Sequence, residues 1–157
     1  VTNKATEKIY QGRDIKNEKL LYHGSRNANV WSILNKGLKI RPANAIRTGS
    51  MLGPGIYFAN KAGKSLGYTD LRGSYWANGS SNRAYLMLFS VNLGKEWNII
   101  GPGKRYEYWM SSIDQARLKK EGYDTLYARG GADLRNDEIV IFEESRATIR
   151  YIVEIQK

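Results

Sequence analysis

The chain has 157 residues, 41% hydrophobic and 25% charged, which suits one globular domain with a real core and excludes an intrinsically disordered segment. It holds no cysteine and a single histidine, His23, which excludes disulfides, thiolate nucleophiles and zinc sites of the His/Cys type. A formal net charge of +10 favours polyanionic partners such as nucleic acid or nucleotide phosphates, and no apolar run reaches the length of a membrane span.

Residues 1–17 read as a polar, loosely attached arm with one turn of helix, followed by a single domain over 18–157. The arm has no apolar signal core, so the expectation is an intracellular, cytoplasmic or nuclear, protein without a membrane anchor. Lys19-Leu20-Leu21-Tyr22-His23 predicts a short strand that breaks at Gly24. Asn29 predicts the cap of a helix over 30–36, with Val30, Ile33 and Leu34 on its buried face and Gly37 as the stop. Residues 41–51 then form an irregular loop, a kind of segment that often carries function.

Gly53-Pro54-Gly55 turns the chain sharply into Ile56-Tyr57-Phe58, a half-buried strand, and residues 60–68 follow as a short helix or loop. By themselves these residues read first as a core strand with a surface helix, and second as one wall of a pocket. Residues 69–82, rich in Gly, Ser and Asn, predict a mobile loop. Residues 83–93 are apolar on most of both faces and predict a central strand. A strand over 97–100, a polar helix over 112–121 stopped by Gly122, and strands over 123–128, 137–142 and 148–155 complete the chain. Many strands with a few short helices predict an α+β domain built on two mostly antiparallel sheets.

Three signals lie on different strands: His23-Gly24-Ser25, Gly55-Ile56-Tyr57-Phe58-Ala59, and Glu138 at the front of an apolar strand. Glu138 is separated from Asp137 by strand parity, since successive side chains point to opposite faces. Glu143 and Glu144 lie beyond the apolar run and are expected in solvent. Together with Gly37-Leu38-Lys39-Ile40, the run from Thr48 to Ala59, and Lys64-Ser65-Leu66-Gly67-Tyr68, these signals resemble the catalytic domain of the poly(ADP-ribose) polymerases, ADP-ribosyltransferases with a His-Tyr-Glu triad. The resemblance runs from about residue 20 to 155 and is densest over 21–68.

That resemblance implies the ADP-ribosyltransferase fold, NAD as co-substrate without a metal, and a catalytic triad of His23, Tyr57 and Glu138. It implies that Gly24 holds the nicotinamide carboxamide through its backbone and that Ser65 adds a hydroxyl. It implies that Tyr68 stacks on the nicotinamide ring with Tyr57 on the other side, and that His23, with Ser25 beside it, meets the adenosine ribose. Phe58 and Ala59 belong to the same wall, Lys64 lies near the transferred ribose, and residues 41–51 cover the donor. The arm is too short for the helical domain that precedes this fold in eukaryotic polymerases. The chemistry agrees, because breaking the nicotinamide–ribose bond builds positive charge that a fixed carboxylate stabilises. The expected activity is transfer of ADP-ribose to a protein, nucleic-acid or ADP-ribose acceptor, by a monomer, with chain elongation open. The alternative is a non-catalytic module of the same fold that binds NAD, ADP-ribose or nucleic acid.

Overall fold

A computed structural model describes residues 1–40, 50–73 and 79–157 of the chain. Most of the expected loop over 41–51, and the middle of the loop expected over 69–82, lie outside the described residues.

Two sheets form the domain. Strands β1 (Glu18–Gly24), β3 (Arg83–Asn92) and β7 (Ala147–Gln156) make an antiparallel sheet in the order β1-β3-β7. Strands β2 (Ile56–Phe58), β6 (Glu138–Ile141), β5 (Thr125–Ala128) and β4 (Glu96–Ile100) make the other, in the order β2-β6-β5-β4, with only β4 and β5 parallel. The fold is therefore α+β with two mostly antiparallel sheets, as expected.

The core has two parts, and together they explain the unbroken apolar runs of β5 and β6. Between the sheets, Leu21, Phe89, Val91 and Ile149 meet Ile56, Phe58, Ile139 and Ile141. On the other face of the second sheet, Leu126 and Val140 pack beneath Leu52, Met110, Ile113 and Leu118. A strand covered on both faces loses its alternation of apolar and polar residues. Met110 lies in a 3₁₀ turn over Tyr108–Ser112, and Leu118 in the helix Gln115–Lys120. The helix expected over 112–121 is thus shorter, Gln115–Lys120, with Ser112 closing the preceding 3₁₀ turn, and Asp114 caps it through its side chain.

The N-terminal segment departs from the expectation of a loose arm. It contains helix α1 (Lys4–Gln11), capped by Asn3, and buries Tyr10 completely. Glu7 pairs with Arg150 of β7 at 2.6 Å, which docks the helix on the first sheet. Helix α2 (Asn27–Lys36) also begins earlier than expected, so Asn29 lies inside it rather than at its cap. The carboxylate of Asp70, remote in sequence, accepts from the Asn27 N–H at 2.7 Å and does the work of a local cap. Gly37 ends the helix with φ of 75°, as expected. Glu143 is not a solvated acid: it pairs with Arg146 at 2.7 Å and with Arg13 at 3.3 Å, and its side chain is 18% exposed.

The feature that positions the site is a backbone link between the sheets. Tyr22 and Ala59 exchange N–H···O bonds of 2.9 and 3.0 Å, joining the end of β1 to the end of β2. The short helix α3 (Ala62–Leu66) follows immediately and lies against Gly24.

Candidate active site

Each of the three motif stretches reaches the same cavity by a different structural route. The β1–β2 link brings His23 and Gly24 beside β2, the turn after β2 carries Lys64 and Ser65 on α3, and β6 starts at Glu138 next to β2 in the sheet. The cavity has a volume of about 450 Å³ and is lined by His23, Gly24, Ser25, Tyr57, Phe58, Ala59, Lys64, Ser65, Tyr68 and Glu138. All of the residues singled out from the sequence are thus brought together.

His23 is held on two sides. Its Nδ1 lies 2.9 Å from the carbonyl oxygen of Tyr57. A carbonyl only accepts, so Nδ1 carries the proton of this bond. The ring packs edge-on against Phe58 and Phe89, with centroids 5.8 and 6.1 Å away. Tyr57 is fixed from the other end: its hydroxyl donates to the Gly53 carbonyl at 2.6 Å and accepts from the Leu52 N–H at 3.1 Å. Gly53 has φ of 92°, which a side chain would strain, so the tight turn that receives the Tyr57 hydroxyl depends on glycine there.

Gly24 has a different reason to be glycine. A Cβ built on it would fall 1.8 Å from the Ser65 carbonyl oxygen, so the strand end touches the main chain of α3 directly. Ser65 itself is buried. Tyr68, one turn beyond, is half-buried; burial pushes its hydroxyl pKa up, and the nearby Glu138 carboxylate adds to the shift.

Glu138 is 5% exposed. Its Oε1 pairs with Lys64 Nζ at 2.7 Å, while its Oε2 is buried with no hydrogen-bond partner among the described residues. A buried, unpartnered carboxylate oxygen costs on the order of 1–3 kcal/mol, a cost that a hydroxyl donor from a ligand removes. Asp137, by contrast, faces away from Glu138, as parity predicts, and bonds Tyr127, Gly130 and Asn60. Burial pushes the Asp137 carboxyl up, but the Gly130 N–H, the Tyr127 hydroxyl, the Asn60 amide and the charge of Arg129 outweigh it and hold it below the usual carboxylate range.

Helix α2 shows in its sequence only the buried face of Val30, Ile33 and Leu34, yet its Asn29 and Ser32 also line the cavity. Their spacing of three residues, on the face away from Val30, was the available signal. Arg26 and Lys39 line the cavity as well and are exposed, so they place two cations at its rim.

The family model for the poly(ADP-ribose) polymerase catalytic domain matches residues 1–157. A poly(ADP-ribose) polymerase-like protein of Invertebrate iridescent virus 6 is 33% identical over 148 residues, covering 90% of this chain and 73% of that protein. The poly(ADP-ribose) polymerase of Drosophila melanogaster is 42% identical over 163 residues, covering 92% of this chain. The protein mono-ADP-ribosyltransferase PARP3 of Mus musculus is 29% identical over 174 residues, covering 88%. The chain spans only 16% of the fly protein's length and 29% of PARP3.

Proposed function

The chain belongs to the poly(ADP-ribose) polymerase catalytic-domain family, and from that premise we propose that it is an NAD-dependent ADP-ribosyltransferase. The observation that carries this reading is Glu138: a buried carboxylate with one oxygen held by Lys64 and the other without a partner among the described residues, on the wall of a cavity that also contains His23 and Tyr57.

The cavity suits NAD as a substrate. Its volume of about 450 Å³ lies in the range of small-molecule sites. Arg26 at its rim, beside Lys39 in its ion pair with Glu144 at 3.4 Å, supplies charge for a pyrophosphate, and Gly24 leaves its main chain unshielded by a side chain. In this reading Gly24 and Ser65 hold the nicotinamide carboxamide, the rings of Tyr68 and Tyr57 flank the nicotinamide, and His23 with Ser25 meets the adenosine ribose. Phe58 and Ala59 shape the wall.

The reaction breaks the bond between the nicotinamide nitrogen and the ribose. The electron pair leaves with nicotinamide, which departs neutral, and positive charge develops on the ribose. Glu138 faces that charge as it develops, a form of stabilisation that acts on the transition state more than on the bound substrate. The same carboxylate accepts a hydrogen bond from a ribose hydroxyl and then takes the proton of the attacking group. One carboxylate suffices, because the leaving group is already cationic and needs no protonation. Lys64 fixes the Glu138 rotamer through Oε1. The acceptor in this proposal is a protein, a nucleic acid or the growing ADP-ribose chain.

The test is incubation with labelled NAD, alone and with protein or nucleic acid, followed by electrophoresis and mass spectrometry. We expect release of nicotinamide and label on an acceptor, and the product's size distribution then separates single units from polymer. Glu138→Gln should keep NAD affinity and lose turnover by a factor on the order of 10² or more. Equal rates in variant and parent would overturn the assignment.

A further inference from the structure

The carboxylate of Asp137 receives three hydrogen bonds, and their sources matter more than their number. The Gly130 N–H reaches Oδ1 at 2.8 Å; the Tyr127 hydroxyl and the Asn60 amide each reach Oδ2 at 3.0 Å. Tyr127 and Gly130 belong to β5 and the turn leaving it, and Asn60 follows β2 by two residues. These are the two strands that flank β6 in the sheet. The last backbone pairs on the two sides are Ala128 with Glu138 and Phe58 with Ile139. Asp137 therefore closes both ladders at the point where regular pairing stops, one residue before Glu138. Its side chain takes the face opposite to Glu138, so it touches neither the Glu138 carboxylate nor the cavity wall.

We propose that Asp137 is a positioning residue for Glu138: it clamps the start of β6 to both neighbouring strands and so fixes where the Glu138 carboxylate enters the cavity. This rests on the reading of Glu138 as the catalytic carboxylate. The first residue of a strand is otherwise free to fray, and an unclamped Glu138 would carry its buried oxygen away from the reacting ribose. A displacement of about 1 Å at such a group costs on the order of 10²-fold in rate.

The test measures NAD affinity by calorimetry and nicotinamide release at saturating NAD for a small set of variants. Asp137→Ala should lose turnover about 10–100-fold while NAD affinity stays within about threefold. Asp137→Asn keeps an oxygen for the Gly130 N–H but turns an amide donor toward the Tyr127 hydroxyl and the Asn60 amide, so it should recover only part of that loss. Asn60→Ala removes one donor at an exposed position, where it cannot collapse the fold, and should lose turnover about 2–5-fold. A purely structural role would lower affinity and rate together in every background. A positioning role makes Asp137→Ala silent once Glu138→Gln is in place, because residues acting as one unit are not additive. Full turnover in Asp137→Ala, or an equal further loss in the Glu138→Gln background, would overturn the clamp. Full turnover in Glu138→Gln alone would instead overturn the underlying reading of the site.

Discussion

Gly24 is the residue with the least steric freedom in the site. Because a Cβ there would meet the Ser65 carbonyl at 1.8 Å, even alanine has to push α3 away, and α3 carries Lys64 and Ser65. Gly24→Ala is expected to lower stability by about 1–3 kcal/mol, as overpacking does. It should also weaken NAD binding by about tenfold, or roughly 1.4 kcal/mol. Thermal melts and calorimetry check the two effects, and unchanged NAD affinity would uncouple Gly24 from the donor site. The Lys64–Glu138 pair makes a second demand at this scale. With side chains 16% and 6% exposed, removal of the cation leaves a buried charge alone. Lys64→Met is expected to cost on the order of 3 kcal/mol in unfolding free energy, and adding Glu138→Gln should return part of it, since the uncompensated charge is then gone. A Lys64→Met variant as stable as the parent would show that the pair is solvated in practice. These residues were legible in the sequence because each sits in a short motif whose order carries its meaning. Asn29 and Ser32 were not, since a helix shows its apolar periodicity more clearly than the cavity its polar face meets.

Helix α1 shows why some elements are illegible. Its sequence offers one deeply buried side chain, Tyr10, an exposed Ile9 and mostly polar residues besides, so composition reads as a loose arm. What holds it is tertiary. Asn3 accepts from the N–H groups of Ala5 and Thr6 at the start of α1, and its amide donates to the carbonyls of Leu34 and Asn35 at the end of α2, all within 2.8–3.1 Å. One side chain thus satisfies orphan groups at two helix ends, donors on one and acceptors on the other. Asn3→Ala should therefore cost about 1–2 kcal/mol, more than a cap on a single helix would suggest. Asn3→Asp keeps the acceptor and loses the donors, so its denaturation midpoint should fall between alanine and parent. Equal midpoints for aspartate and alanine would show that only the donation to α2 matters. The same physics shifted the start of α2, where Asp70 replaces a local cap. Strands fared better. β3, β5 and β6 were readable because burial on both faces writes an apolar run into the sequence, but the order of strands and the parallel pairing of β4 with β5 depend on partners far away in the chain.

At the scale of the molecule the positive charge is unevenly placed: residues 1–50 hold ten of the lysines and arginines against three acids. The sign of the balance was plain in the composition, but its consequence for stability was not, because that depends on which acids the cations reach. Four carboxylates are held below their ordinary values, one of them Asp133, lowered chiefly by its hydrogen bonds from Arg105. Glu7 is lowered chiefly by its hydrogen bond from Arg150. For Glu143, burial acts to raise the pKa, but Arg146 and Arg13 outweigh it. Asp137 is lowered by its three donors and Arg129 in spite of burial. A carboxyl whose folded pKa lies below its unfolded one binds protons more tightly in the unfolded chain. Its contribution is therefore fully present above the unfolded values, 4.5 for the glutamates and 3.8 for the aspartates, and is lost as pH falls through the lower folded values. The expected profile is a denaturant midpoint that is flat from about pH 7 to about pH 5 and falls steadily below about pH 4.5. Below that point Arg13 and Arg146 also lose the charge of Glu143, with which both pair, and Arg146 is left with Asp124. Glu143→Gln removes one of the four contributors and leaves the buried Arg146 with Asp124 as its one carboxylate partner among the described residues. Its midpoint should be lower than the parent's at neutral pH and should fall less between about pH 5 and about pH 3. A variant with the parent's full acid dependence would mean that Glu143 titrates alike in the folded and unfolded chains, and that the network around Arg146 contributes nothing to acid sensitivity.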